Sequence, residues 1–300
     1  MATFGSGDLK NLPRNIADGI VGKVQTGSVV AALSGAEPQR FGDTDIITFN
    51  DRPRAEFVEE GGEKSSTTGS FGVVTAVPHK AQVTMRFNQE VQWADEDYQL
   101  QVLSTLANAG ALALSRALDL GLLYRINPLS GAVITAWTNY LNSTTKRVSL
   151  ADASAIDDYV DDAVGLVVDD DWAVNGIAFA PKFAHSLARL KDSDGRKKYP
   201  ELGFGTNVSS FATLPASVSS TVSGTPEATE PTNVDAIVGD FQNGIRWGIQ
   251  RDLPLELIQY GDPDGQGDLK RKNQIALRLE IAYGWYVCAD QFAVIETPEG

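Results

Sequence analysis

Histidine and cysteine, the residues that most often bind zinc or act as nucleophile pairs, are scarce in this chain. Its 300 residues include two histidines, His79 and His185, and one cysteine, Cys288. A zinc site needs about four such ligands, and a nucleophilic cysteine needs a base beside it. Because the three residues are far apart in sequence, the pattern predicts ordinary histidines and a small buried thiol. We expect no catalytic residue, no metal ligand and no cofactor.

Paired aspartates offer a second possible chemistry. Asp157, Asp158, Asp161 and Asp162 recur at helical spacing within Ala151–Val168, and neighbouring carboxylates can share a proton or bind a cation. A complete apolar stripe runs opposite them: Ile156, Tyr159, Val160, Ala163, Val164 and Val167. Such a helix exposes its charged face, so we predict solvated aspartates. An acidic hydrolase that uses these pairs stays the alternative of a different class.

A third group of acids partly follows the spacing of a calcium-binding loop. It consists of Asp262, Asp264, Gly267 and Asp268. The twelfth position of such a loop carries a bidentate glutamate, and Asn273 stands there instead. The pattern therefore predicts a turn and no metal site.

Composition limits the classes of protein further. Acids outnumber bases by 39 to 25, a formal net charge of −14, so binding to nucleic acid by neutralising phosphates is excluded unless the bases are segregated. A single cysteine is typical of a reducing cytoplasm. No signal peptide is expected, because Met1–Lys10 contains no apolar run. No membrane span is expected either, because the most apolar stretch, Ala111–Tyr124, contains Arg116 and Asp119.

The helical elements include one that is unusually long. Tyr98–Arg125 has apolar residues and a glycine at three-four spacing and would be about 42 Å long, which predicts a spine. Its polar side is predicted to consist of Gln101, Ser104, Asn108, Ser115 and Asp119. Pro181–Leu190 is a further helix, with proline at a position that helices tolerate.

The strands point to a flap and a long sheet strand. Asp43–Phe49 and the alternating strand that ends at Phe87 enclose the polar stretch Asp51–Gly72, a pattern that predicts a long hairpin with little core of its own. Gly244–Gln250 and Leu255–Tyr260 are further strand candidates, and from Gln274 apolar and other residues alternate as in a half-buried strand. Before the flap, Met1–Arg40 predicts an extended arm with room for one short helix. Segregated helices and antiparallel strands indicate an α+β fold, and an arm and a flap that cannot bury themselves indicate an obligate oligomer.

Three stretches carry a resemblance to a known family. They are Ala55–Phe71 with the following strand Lys80–Phe87, Ser186–Pro200, and the region from Val238–Ile245 to Leu277–Ile295. In this order they resemble the flap (E-loop), the axial-domain segment and the closing strands of the major capsid protein of tailed double-stranded DNA bacteriophages, which has the Hong Kong 97-type fold. The match covers nearly the whole chain after the arm.

The resemblance implies a division of the chain and a structural function. The expected parts are an N-terminal arm (1–40), the E-loop with its supporting strands (41–90), a peripheral domain with the spine helix (91–148), an axial domain (149–250), the long peripheral strands (251–285) and a closing axial strand (286–300). Subunits would form hexamers and pentamers of an icosahedral shell around double-stranded DNA, bound without sequence specificity. Such a protein is made in the bacterial cytoplasm and is located in the virion head.

The same resemblance implies contact residues and partners. The E-loop would contact an adjacent subunit through Phe57, Glu59, Glu60, Gly61, Lys64 and Phe71. Some relatives cross-link a flap lysine to an asparagine, for which Lys64, Lys80 and Asn273 are available, although ordinary surface residues are the simpler interpretation. The short arm implies a separate scaffolding protein, alongside a portal and a decoration protein. An encapsulin-like compartment with enzyme cargo shares this fold and stays open, as does a tail or decoration protein.

Overall fold

A computed structural model of the chain describes residues 28–49, 55–66, 71–89, 96–152 and 155–298. The predicted arm thus lies mostly outside the described residues. The helices are α1 (Val29–Leu33), α2 (Glu96–Tyr124), α3 (Ile156–Val168) and α4 (Pro181–Arg189). The strands are β1 (Thr44–Phe49), β2 (Phe71–Ala76), β3 (Pro78–Asn88), β4 (Arg147–Ser149), β5 (Gly176–Phe179), β6 (Ser210–Phe211), β7 (Leu214–Val218), β8 (Val234–Gly239), β9 (Ile245–Ile258), β10 (Gln274–Val287) and β11 (Phe292–Glu296).

One sheet combines six strands in the order β4-β11-β8-β5-β7-β6. Its centre is apolar on both faces, as the fully buried Ile177 and Phe179 on one face and Ala178 and Ile237 on the other show. Helix α3 covers this sheet with the predicted apolar stripe, in which Val160, Ala163 and others are buried. The sheet gathers strands from residue 147 to residue 296, so the end of the chain returns to it.

A second sheet has three antiparallel strands in the order β3-β10-β9. The spine helix α2 packs on it at Gly110, where an added Cβ would overlap Leu279 and would crowd Met85. A glycine at this position therefore lets the helix approach the sheet closely. The prediction of a long spine and a long strand is confirmed, and α2 is 29 residues long.

The segment between α1 and β1 crosses this second sheet. The amide of Glu37 donates to the carbonyl of Trp247 at 2.8 Å. Gly248 and Gly284 are register partners on β9 and β10, and a Cβ on Gly248 would overlap the carbonyl oxygen of Glu37. The two glycines thus make room for the chain that leads into the flap.

The flap differs from the prediction in its pairing. Strand β1 pairs with β2, with Thr44 opposite Ala76 and Phe49 opposite Phe71, and not with the strand that ends at Phe87. That strand, β3, pairs with β10. The alternating pattern was interpreted correctly as a half-buried strand, but the short β2 between them was missed.

Two further predictions were wrong in detail. The segments Gly244–Gln250 and Leu255–Tyr260, predicted as separate strands, form the single strand β9 with an irregularity in its pairing. Pro254 interrupts the sequence pattern, yet β9 is an edge strand, where a missing N–H is tolerated. On α2, Ser115 and Asp119 were assigned to an exposed polar side, and both are fully buried.

Part of the spine helix, Leu106–Tyr124, is long and apolar enough to cross a membrane. It is longer than the stretch on which the prediction of no membrane span rested. Most of this part is buried inside the protein, however, and the core helix of a soluble protein has the same length and composition.

Candidate assembly surfaces

The tip of the flap, residues 55–66, has a defined shape but is exposed at every position. The amide of Gly62 donates to the carbonyl of Glu59 at 2.9 Å, and Gly61 has φ +87°, which together close a tight turn. The amide of Ser65 donates to Glu56 Oε1 at 2.6 Å, and hydrogen bonds from Ser65 lower the pKa of Glu56. The tip is therefore an ordered projection without a core.

Five of the predicted contact residues share this tip. Phe57, Glu59, Glu60, Gly61 and Lys64 lie within eight residues of chain, and the Phe57 ring has no cover at all, with 109% relative exposure. Phe71 opens strand β2 opposite Phe49, at the end of the ribbon that is nearest the tip along the chain. An uncovered phenylalanine among carboxylates is typical of a contact surface.

The ribbon that carries the tip is also apolar and exposed. Ile47 and Val73 are direct cross-strand partners and are 71% and 62% exposed. Beside them, the hydroxyl of Thr75 donates to Asp45 Oδ1 at 2.7 Å. Facing residues of an antiparallel pair lie on one face of the ribbon, so this face joins an apolar patch to a polar one.

Two of the residues available for a cross-link, Lys80 and Asn273, are not brought together within one chain. Lys64 is on the flap tip, and Lys80 on β3 forms an ion pair with Glu280 at 2.8 Å. Lys80 is opposite Ala282, whereas Asn273 precedes the far end of β10, about 30 Å away at strand spacing. A bond between Lys80 and Asn273 would therefore have to join two copies.

The buried Asp119 connects three parts of the fold. Its carboxylate accepts from the amide of Val29 at 3.0 Å, the amide of Val30 at 3.3 Å and the hydroxyl of Thr221 at 2.7 Å, and also from the hydroxyl of Ser28. Burial raises the pKa of Asp119, and the four donors act against that rise. The spine helix thus caps the N-terminus of α1 and holds the root of the arm.

This junction was missed at the level of sequence. The available signals were Ser28, a residue type that favours helix N-caps, directly before an apolar run, and a single aspartate within the apolar part of α2. Helical periodicity alone assigned Asp119 to a polar face, because it does not show what packs on that face.

His79 lies between two indole rings. Its ring centroid is 4.1 Å from that of Trp137 and 4.0 Å from that of Trp285. Burial lowers the pKa of His79 to about 4. His79 is therefore neutral at pH 7 and serves as a packing residue, as the sequence predicted.

Some aspartates of each group form ion pairs with cations of the same chain. Arg86 binds Asp262 at 2.9 Å and also Asp264, which fastens the loop 259–268 over the sheet. Asp157 was predicted to be solvated but is buried, and it accepts from Lys198 and, at 3.0 Å, from Tyr199. Within the described ranges, no three His, Cys, Asp or Glu side chains are placed to share a metal ion.

Comparison with known proteins identifies the fold. A family model described as "Phage capsid family" matches residues 11–294. A solved structure from Mycobacterium phage Ogopogo is 47% identical, covering 90% of this chain and 92% of that chain, with a TM-score of 0.81. One from Gordonia phage Cozz is 28% identical over 91% of this chain and 87% of that chain, with a TM-score of 0.77.

A more distant structure shares the fold alone. The capsid of a native GTA particle, computed with C5 symmetry, is 15% identical, covering 91% of each chain, with a TM-score of 0.60. No curated protein matches the sequence. The predicted α+β, Hong Kong 97-type fold is confirmed, and neither the encapsulin nor the hydrolase alternative is favoured. The chain therefore belongs to the phage capsid family: it is a major capsid protein, a structural component of the virion and not an enzyme.

Proposed function

We propose that copies of this chain form hexamers and pentamers that close an icosahedral shell around double-stranded DNA. The observation that carries the proposal is the flap, whose tip is exposed at every position and presents the uncovered Phe57. An exposed aromatic ring on an ordered projection is buried only when another molecule covers it. Many modest contacts of this kind give strong overall binding once a shell closes.

The flap is proposed to lie across an adjacent subunit. Phe57 would supply the apolar contact, Glu59, Glu60 and Lys64 the charged rim, and Gly61 the turn. Phe71 would begin the ribbon that supports the contact. The arm before Ser28 would reach a further subunit, starting from the root that Asp119 holds.

The two sheets support the proposed division into domains. The axial domain (149–250, closed by 286–300) would meet its counterparts at the centre of each capsomer, and the peripheral domain (91–148 and 251–285) would form the outer part. Most strands of the six-stranded sheet lie within the proposed axial domain. Strands β3 and β10 lie outside it and belong to the three-stranded sheet. Strand β9, Ile245–Ile258, runs through the boundary at residue 250 and so links the two.

The remaining partners are proposed from family resemblance and charge. A separate scaffolding protein, a portal and a decoration protein would complete the head, and synthesis would occur in the host cytoplasm. The net charge of −14 suits a wall that encloses DNA without gripping it.

Electron microscopy of the purified full chain tests the proposal. We expect closed shells from the wild-type chain, and deletion of Glu59–Gly69 should leave a folded subunit that forms none. In a matched variant, a Gly-Ser linker of the same length replaces these residues, so that the ribbon is retained but the tip is lost. This variant should also fail to form shells. Normal shells from either variant would refute the function proposed for the tip, and a solitary wild-type monomer would refute the shell. Nucleic acid inside native particles distinguishes a phage head from a cargo compartment.

Electrophoresis of whole particles under denaturing conditions tests a covalent link through Lys64 or Lys80 and Asn273. A ladder of multimers that disappears in Lys64→Arg or Lys80→Arg particles would show the link. A single monomer band would dismiss it.

A further inference from the structure

A short hairpin, residues 190–198, projects from the axial domain after α4; we call it the axial hairpin. The amide of Asp192 donates to the carbonyl of Arg196 at 2.9 Å, and the amide of Lys198 donates to that of Leu190 at 2.9 Å. The side chain of Asp192 accepts from the amides of Asp194 and Arg196 at 3.0 and 2.9 Å. The hairpin is therefore well fixed.

The axial hairpin and the residue before it present four cations. Arg189, Lys191, Arg196 and Lys197 are exposed, and none is in an ion pair with the part of the chain that the structure describes. Lys191 and Lys197 are direct bridge partners. Like charges in facing positions are unfavourable, so an anionic partner would relieve a repulsion that exists in the free subunit.

Beside these cations, Phe204 is held with its ring outward, 76% exposed. Its carbonyl is bonded to His185 Nδ1 at 2.9 Å. The next residue, Gly205, has φ +76° and lies so close to Ala184 that a Cβ would overlap the carbonyl. Lys197 Nζ is 5.1 Å from the Phe204 ring centroid. A fixed aromatic ring beside a cation has the composition of an interface hot spot.

The outer face of α3 has the complementary chemistry. Asp158, Asp161, Asp162 and Asp169 are exposed and make no ion pair with the described residues. At the C-terminal end of the same helix, Leu166 and Val168 are 36% and 52% exposed. Asp158 and Asp169 are about 16 Å apart along a helix axis. The acidic face between them is therefore long enough to receive the whole hairpin.

The contacts within one chain favour a second copy, and not its own α3, as the partner of this hairpin. Within one chain the hairpin already uses Lys198 to bind Asp157, which is buried on the inner side of α3. The outer acids make no ion pair among the described residues, although the charge of Asp158 helps to raise the pKa of Lys198. In a closed ring each subunit offers two different surfaces, one to each neighbour, and a cationic and an anionic surface on one chain meet this requirement.

We propose that the axial hairpin and Phe204 of one subunit dock on the acidic outer face of α3 of the next subunit in the same capsomer. The cations contact Asp158, Asp161 and Asp162, and Phe204 contacts Val168, the more exposed of the two apolar side chains. This inference rests on the proposed function, because it needs subunits arranged in a ring.

Charge reversal on each side, and on both, tests the contact. We expect K191E/R196E and D161K/D162K each to remain folded but to need at least about tenfold more protein to assemble, since close charge pairs contribute about 1.5 kcal/mol or more. The chain with all four substitutions should assemble at nearly the wild-type concentration. The control Lys182→Glu, an exposed base on α4 outside the hairpin, should have little effect.

An equal mixture of the two double variants gives a sharper result. A reversed hairpin fits only a reversed α3, so the two chains must alternate around the ring. Alternation closes in a hexamer but leaves one mismatched contact in a pentamer. Native mass spectrometry should therefore show hexamers without pentamers, whereas the fourfold variant should give both.

Two results would overturn the inference. One is wild-type assembly by either double variant. The other is failure of the fourfold variant although circular dichroism shows it folded, because the two surfaces then meet other partners. Wild-type shells are measured in parallel, so failure of the ring itself would be seen separately, as the loss of the proposed function.

Discussion

Replacing Asp119 with asparagine should loosen the root of the arm while leaving the shape of the site nearly unchanged. Each carboxylate oxygen accepts from one hydroxyl and one amide: Oδ1 from Ser28 and Val30, and Oδ2 from Thr221 and Val29. Asparagine turns one of these acceptors into a donor. The hydroxyl on that side can rotate to accept the new N–H, but the backbone amide cannot.

The expected cost follows from that single unpaired amide. A buried donor without a partner costs about 1–3 kcal/mol, and the remaining bonds lose their charge assistance. Removal of a buried charge offsets part of this loss. We therefore expect Asp119→Asn to lower the free energy of unfolding by about 2 kcal/mol, which corresponds to an equilibrium constant for opening of the site that is about 30-fold larger.

Urea unfolding of the subunit and hydrogen exchange measure the two effects. Exchange should accelerate most at the amides of Val29 and Val30, because α1 is the element that loses its cap. The control Asp158→Asn makes the same chemical change on an exposed face and should stay within about 0.5 kcal/mol of wild type. Equal stability of the two variants, with unchanged exchange at α1, would refute the interpretation of Asp119 as the anchor of the arm.

Three smaller predictions concern the packing around the second sheet. Because the pKa of His79 is lowered to about 4, the unfolded chain binds a proton between about pH 6.5 and 4 that the folded chain does not bind. The free energy of unfolding should therefore fall as the pH drops through this window, by about 1–2 kcal/mol after allowance for the partial exposure of the ring. An NMR titration that places the pKa of His79 at 6.5 or above would show that the flanking indoles favour the imidazolium instead. Gly248→Ala should destabilise the folded subunit by about 1–3 kcal/mol in thermal unfolding, because the added Cβ would meet the carbonyl of Glu37. The control Gly165→Ala changes a helical position where the added Cβ meets no other atom, and it should stabilise the subunit by about 0.5–1 kcal/mol in the same assay. Arg86→Ala frees both loop aspartates and should make the loop 259–268 a new site of limited proteolysis, and resistance equal to wild type would show that other contacts hold the loop.

Sequence predicts best those faces that one periodic pattern marks. Strand β10 buries Ile275, Leu277 and Leu279 as its alternation indicates, and α3 buries Val160 and Ala163 of its stripe. The existence of the long spine was equally clear from its three-four spacing. On each of these faces one pattern packs against one layer, so period and burial agree there.

The errors arise where an element is covered from more than one side. Helix α2 packs on the second sheet at Gly110, and on another side it meets α1 and the turn at Thr221. A polar residue on that side is buried by elements distant in sequence, which no local pattern reports. The short β2 was missed for a related reason, since its pairing with β1 depends on a turn across residues whose sequence is polar.

Stability of the subunit and assembly of the shell depend on different side chains. The apolar groups left uncovered include Phe57 on the flap tip, Ile47 and Val73 on the ribbon, and Phe204 beside the axial hairpin. Burial of one phenylalanine contributes about 1.5–3 kcal/mol, and in a ring every copy both gives and receives such a contact. Substitution of these residues should therefore weaken the shell and spare the subunit, whereas loss of Asp119 weakens the subunit itself. A protein built to assemble has to keep these two sets of residues separate, because a flap that folded back on its own core would stabilise the monomer at the expense of the shell.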